Sequence, residues 1–221
     1  MAARKKKKIV FVCTGNTCRS PMAQLLLAQR LKEQKLKGFD VRSAGTAAKK
    51  GDVINPKSAQ VLQENGIECV EFSSTKLTEK LLLDAFAVVC MTERQREYLM
   101  DLRWNALKKA GKSMDEAENN VYSFAEITGY EILDPYGKDI DCYRYVFGLL
   151  SAGMLKLTEK LDLKGNAWEE KPKAPKSAKT GTSANNTTTK TSPKTKKKTP
   201  KQADETPATD GENQQLSIFK E

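Results

Sequence analysis

Up to about residue 165, the chain alternates short apolar runs with segments whose apolar residues recur every three or four positions. KKIVFVC (7–13), FDVRSAGT (39–46), AVVCM (87–91) and NVYSF (120–124) have the length and punctuation of strands. Between them, SPMAQLLLAQRLKEQKLKG (20–38) reads as a helix, with Ser20 as N-cap, Pro21 at the first helical position and Gly38 as the stop. NPKSAQVLQENG (55–66) repeats that grammar with Asn55, Pro56 and Gly66. Further helices are predicted for LTEKLLLDAF (77–86) and from Thr92 to about Leu102. Ile140, Tyr143, Val146, Leu150, Met154, Leu157 and Leu161, in steps of three and four, predict a last amphipathic helix that covers the sheet. Strands alternating with helices predict an α/β fold, a small doubly wound parallel sheet of about four strands flanked by helices. The domain is expected to span residues 1–165.

Beyond that point the pattern stops. Residues 171–201 contain ten lysines, no acidic residue and no large apolar side chain. Such a segment has too little apolar area to offset the entropy of ordering, so 166–221 is expected to be a disordered Lys/Thr/Pro-rich tail. Those ten lysines also account for the formal net charge of +10, so the basic balance says little about the folded part. The tail invites weak polyanion binding. No run of apolar residues is long enough to span a membrane, and the five apolar residues after the N-terminal lysines are shorter than a signal-peptide core. Five scattered cysteines argue against a disulfide framework and for a reducing compartment, so the expected location is cytoplasmic.

The chain has no histidine, which excludes Ser-His-Asp hydrolases, Cys-His proteases and histidine-ligated zinc. That makes VCTGNTCRSP (12–21) the informative stretch. Cys13 and Arg19 stand in C-x5-R spacing, between a strand and a helix, with Gly15 and Asn16 suited to positive φ. A loop of this kind aims backbone N–H groups into one concavity that fits a tetrahedral anion, with the helix dipole behind it and Arg19 able to bind bidentately. A cysteine on its floor is favoured as the thiolate by the helix terminus and the arginine, without histidine. It could then attack phosphorus to form a covalent thiophosphate. The bland alternative is an ordinary Gly-Asn turn after a buried strand cysteine. LDPYG offers Asp134 as an acid for the leaving group, although alone it reads equally well as an Asp-Pro turn. Cys13 and Cys18 make a poor zinc site without further ligands, and no metal or cofactor is expected. Cys69, Cys90 and Cys142 are read as space-filling.

VCTGNTCRSP and DPYG, together with RSAGT, resemble the signatures of the low-molecular-weight protein tyrosine phosphatase family, in order, over residues 8 to about 163. The resemblance implies Cys13 as nucleophile, Arg19 as phosphate ligand and Asp134 as general acid. It implies that Thr14, Gly15, Asn16, Thr17, Cys18 and Ser20 form the phosphate loop, braced through Asn16, Ser20 and Ser43. It also makes Cys18 the family's second loop cysteine, which can pair with the nucleophile under oxidation. Gln24 stands where family members usually carry Glu, and is read as touching none of the chemistry.

Thr17 resembles the branch of the family that acts on phosphoarginine in bacterial proteins, where tyrosine phosphatases carry an aliphatic residue. The function expected is therefore a phosphoprotein phosphatase acting on phosphoarginine, with phosphotyrosine as the alternative and Tyr136 as one wall for an aryl ring. Arsenate reduction is disfavoured, since Cys90 has no companion cysteine in the helix after it. A different class of reading comes from QLSIF (215–219). Gln215, Leu216, Ser217, Ile218 and Phe219 resemble the pentapeptide by which bacterial proteins dock on the replication sliding clamp, which would make the chain a tail-recruited interaction protein. Intact Cys13, Arg19 and Asp134 argue against lost catalysis.

Overall fold

The computed structural model describes residues 6–69, 71–113 and 119–163. The Lys-rich segment and the pentapeptide 215–219 lie outside the described residues. Four strands, β1 (Lys7–Cys13), β2 (Phe39–Gly45), β3 (Ala87–Cys90) and β4 (Val121–Ser123), form one parallel sheet in the order β2-β1-β3-β4. Six helices connect or follow them: α1 (Arg19–Glu33), α2 (Pro56–Glu64), α3 (Glu79–Asp84), α4 (Glu93–Lys109), α5 (Phe124–Thr128) and α6 (Ile140–Lys160).

The strand period divides β1 between two cores. Ile9 and Phe11 join a cluster with Met22, Leu27, Leu62, Val146, Leu150 and Met154 from α1, α2 and α6. Val10 and Val12 face the other way, onto Leu82 and Leu99 of α3 and α4. All four β1 side chains are fully buried. Each contributes about 1.5–3 kcal/mol by leaving water. A strand apolar on both faces needs helices on both faces, and this is the doubly wound arrangement. Because β1 lies between β2 and β3, successive connections leave it in opposite directions, opening a crevice at its carboxyl end. Cys13 is the last residue of that strand.

Several element ends differ from expectation, each for a local reason. Helix α1 starts at Arg19 with Cys18 as N-cap and no side-chain cap, because the Ser20 hydroxyl turns instead toward the loop. The helix stops at Glu33, well before Gly38, where Lys35 takes φ +56°. Gly15 does not adopt positive φ; Asn16 does, at +56°. The α4 helix continues past Leu102 to Lys109, its last turn carrying Lys108 and Lys109 where the dipole favours cations. Phe124 is not the end of β4 but the first residue of α5, an unforeseen helix capped by the Ser123 side chain. Asn55 and Pro56 open α2 as the sequence indicates, Asn55 accepting a hydrogen bond from Lys57 N.

Among the described residues no helix is long and apolar enough to cross a membrane. None of their His, Cys, Asp and Glu side chains gather in groups of three or more that could hold a metal ion.

Candidate active site

Residues 14–18 link the end of β1 to the start of α1 and fold over the Cys13 thiol. Cys13 Sγ has two donors within reach: Asn16 N at 3.3 Å and Ser20 Oγ at 3.0 Å. Asn16 decides which way the Ser20 hydroxyl works. Its Nδ2 carries two hydrogens, one given to Ser20 Oγ (2.9 Å) and the other to Ser43 Oγ (2.8 Å). Its Oδ1 accepts from Thr75 N at 2.7 Å, which fixes the amide orientation, because a backbone N–H can only donate. Ser20 Oγ therefore accepts from Asn16 and has its own hydrogen left for Cys13 Sγ, with the Ala44 carbonyl at 3.4 Å as the competing acceptor. A sulfur that receives two hydrogen bonds is suited to carry negative charge.

Ser43 passes its hydrogen on to Gln24 Oε1 at 2.5 Å. Gln24 thus ends a chain that runs through Ser43, Asn16 and Ser20 to Cys13, contrary to the expectation that it stood apart. The loop is also held from the segment between β2 and α2. Ala47 N donates to Thr14 O, Thr46 N to Cys13 O, and Asn55 N to Thr17 O, at 2.9–3.0 Å. A β-carbon at Gly45 would stand 2.5 Å from Thr14 O and 2.9 Å from Asn16 N, so only glycine admits this approach. The G of RSAGT is a spacing requirement.

Arg19 is buried, and its NH1 donates to Ile132 O at 3.3 Å. Its NH2 lies 2.5 Å from Asp134 Oδ2, while its buried Nε has no hydrogen-bond partner. One edge of the guanidinium thus carries a carboxylate beside an open donor, the donor pair that a phosphate would engage. Asp134 itself is half exposed. It follows α5 rather than a strand, and its segment is tied down by Ile132 N to Met91 O at 2.9 Å and by Tyr136 N to Asp134 Oδ1 at 3.2 Å. Tyr136, two residues further on, is 72% exposed.

Cys18 differs from Cys13 in its surroundings. Its Sγ faces Tyr143 Oη at 3.6 Å and Thr17 Oγ1 at 3.7 Å. Burial pushes its thiol up, against the opposing effect of those hydroxyls. Cys90, buried with its S–H on carbonyls of Thr92 and Tyr122, is pushed up to about 12, chiefly by burial and then by nearby Glu93.

A family model described as low molecular weight phosphotyrosine protein phosphatase matches residues 8–167. The chain belongs to this family. A protein-arginine-phosphatase of Geobacillus stearothermophilus is 34% identical over 157 residues, covering 70% of this chain and 95% of the relative. A low molecular weight protein-tyrosine-phosphatase of Staphylococcus haemolyticus is 30% identical over 146 residues, covering 63% and 89%. The solved structure of the YwlE arginine phosphatase from Geobacillus stearothermophilus superposes with a TM-score of 0.58 at 31% identity, covering 71% of this chain and 93% of that one.

This low molecular weight phosphatase places the residues expected at its site in two groups of contacts. Cys13, Asn16, Ser20 and Ser43 join in one hydrogen-bonded chain, Thr14, Gly15, Thr17 and Cys18 complete the loop, and Arg19 reaches Asp134 with Tyr136 alongside. Sequence reasoning missed Gln24, as above, and Gln95. The Gln95 Nε2 donates to Thr14 Oγ1 at 3.3 Å from the first turn of α4. No short motif joins positions 14 and 95. Only the parallel pairing of β1 with β3 brings them together.

Proposed function

We propose that this phosphatase hydrolyses phosphorylated protein side chains through a thiophosphate on Cys13, with phosphoarginine as its substrate. The observation that carries the mechanism is the pair of donors on Cys13 Sγ, one of them oriented by Asn16. In the first displacement Sγ attacks phosphorus and the bond from phosphorus to the side-chain nitrogen breaks. Asp134, as the carboxylic acid, gives that nitrogen its proton. In the second, a water oxygen attacks phosphorus and the sulfur–phosphorus electron pair returns to Cys13. Asp134, now the carboxylate, takes the water's proton. The loop's backbone N–H groups, from Thr14 to Ser20, surround the phosphoryl oxygens, and Arg19 binds two of them through Nε and NH2. For this, the NH2 of Arg19 exchanges the Asp134 carboxylate for a phosphate oxygen.

Phosphoarginine is favoured by Thr17, which places a hydroxyl in the loop where an aryl ester would gain more from an alkyl group. The similarity to protein-arginine-phosphatases supports it as well. Having given up its proton, Asp134 is a carboxylate beside the departing guanidinium and can pair with it. One observation favours phosphotyrosine instead: the exposed ring of Tyr136 next to Asp134 could stack on a phenyl ring. The deciding experiment measures kcat/KM on phosphoarginine and phosphotyrosine peptides of matched sequence, with Cys13→Ser as the blank. A preference for phosphoarginine that is lost in Thr17→Ile is the expected result. A preference for phosphotyrosine would remove this reading of Thr17 and leave the two displacements standing.

A further inference from the structure

We infer that Gln95 is a positioning residue for this reaction, acting through the hydroxyl of Thr14; the inference rests on Cys13 being the nucleophile. Gln95 occupies the first turn of α4, and its backbone N–H bonds the Thr92 side chain that caps the helix. Its side chain turns back so that Oε1 accepts from Met91 N at 3.0 Å. A backbone N–H can only donate, so the atom it meets must be the amide oxygen, and the NH2 end must face the other way. There Nε2 meets Thr14 Oγ1 at 3.3 Å.

The consequence falls on Thr14, the residue that follows the nucleophile. Its carbonyl is held by Ala47 N, which fixes the backbone, and its side chain is exposed at the rim of the loop. Because Oγ1 accepts from Gln95, the single hydroxyl hydrogen of Thr14 is kept from the Gln95 side and is left to the remaining directions. Beside Cys13 this supplies one more oriented donor for a phosphoryl oxygen as charge builds during either displacement. The backbone N–H groups of the loop are fixed by the fold, but a threonine hydroxyl rotates freely unless something occupies its lone pairs. Gln95 performs that task from a separate element, and the amide is itself pinned by the start of α4. Met91, between β3 and α4, also holds the Asp134 segment, since its carbonyl accepts from Ile132 N. One turn of backbone therefore sets both the acid's approach and the hydroxyl's direction.

The test is a double-mutant cycle on the full chain with para-nitrophenyl phosphate, using Gln95→Met, Thr14→Val and the double variant. Gln95→Met has similar length and no donor, and Thr14→Val has similar shape and no hydroxyl. Each single variant is expected to lose about tenfold in kcat with KM within about twofold of the parent. The double variant should be no worse than the weaker single by more than about twofold, since both changes remove the same oriented hydrogen. If kcat of Gln95→Met stays within twofold of the parent, or the two losses multiply, the inference is overturned. Should Gln95→Met fail to fold, Gln95→Glu keeps an acceptor for Met91 N. It draws the Thr14 hydrogen onto its carboxylate, and the loss in kcat should persist at high salt, where the added charge is screened. Full activity of Gln95→Glu at high salt would overturn the inference equally. Activity of Cys13→Ser on the same substrate would instead overturn the mechanism on which it rests.

Discussion

Replacing Ser20 by alanine tests the polarity of the network under Cys13 more sharply than any change to the cysteine itself. The substitution removes the hydroxyl that stands 3.0 Å from Sγ and leaves one Nδ2 hydrogen of Asn16 buried without its acceptor. A hydrogen bond to a charged group contributes about 1.5–3 kcal/mol. If Cys13 attacks as the proposed nucleophile, losing it slows alkylation of Cys13 by iodoacetamide, and lowers kcat/KM, by roughly 3- to 12-fold, because a sulfur that loses a hydrogen bond also becomes the stronger nucleophile and about half of that energy cancels. The orphaned amide hydrogen costs about 1–3 kcal/mol of folding stability. For a domain of this size that lowers Tm by about 2–12 °C. The assay pairs the alkylation rate at fixed pH with thermal unfolding. A fall in Tm with an unchanged alkylation rate would refute the assignment of the Ser20 hydrogen to Cys13, and would make Ser20 a brace for Asn16 alone.

Gly45→Ala should abolish activity, because its β-carbon meets two backbone atoms of the loop at 2.5 and 2.9 Å; near-parental kcat/KM would show that the loop can yield. The Glu64 carboxylate, held down to about 2 chiefly by its hydrogen bonds from Arg144, ties α2 to α6. Since the folded value lies below the ordinary 4.5, the stability it contributes is present above about pH 4.5 and is lost as pH falls toward 2. The stability gap between the parent and Glu64→Gln should therefore narrow across that window, as measured by urea unfolding; a gap independent of pH would contradict the pairing.

The sheet and its helices were legible because apolar period and capping residues are local signals. The two rhythms are clean in KKIVFVC and in 140–161, and Asn55-Pro56 marks the start of α2. Most of the missed boundaries sit where a side chain leaves its local task for a distant one. Ser20 has the chemistry of an N-cap but spends its hydroxyl on Cys13, seven residues back. Phe124 reads as strand because it is aromatic, yet Ser123 caps a helix that begins there. The α4 helix runs beyond Leu102 through Trp104 and Asn105, which carry no apolar rhythm toward the core. At the site, Cys13, Arg19 and Asp134 were readable from two short motifs with restricted spacing. Gln24, Thr75 and Gln95 were not, since each meets the loop through sheet register or a connection far away in sequence. A polar residue with no local partner is the one signal such positions leave, and it does not say where the partner lies.

The buried amide of Asn16 joins residues from three stretches of chain: its own loop, Ser43 at the end of β2, and Thr75 in the segment before α3. None of these contacts survives in an unfolded chain, so an oxyanion has a cradle only in the folded protein. Ligand and fold are then linked by mass action: an oxyanion present at about 100 times its dissociation constant adds about 2.7 kcal/mol to the folded state. If the loop binds phosphate as proposed, phosphate or vanadate in the buffer is part of the protein's stability, and a melting temperature measured in phosphate reports on an occupied loop.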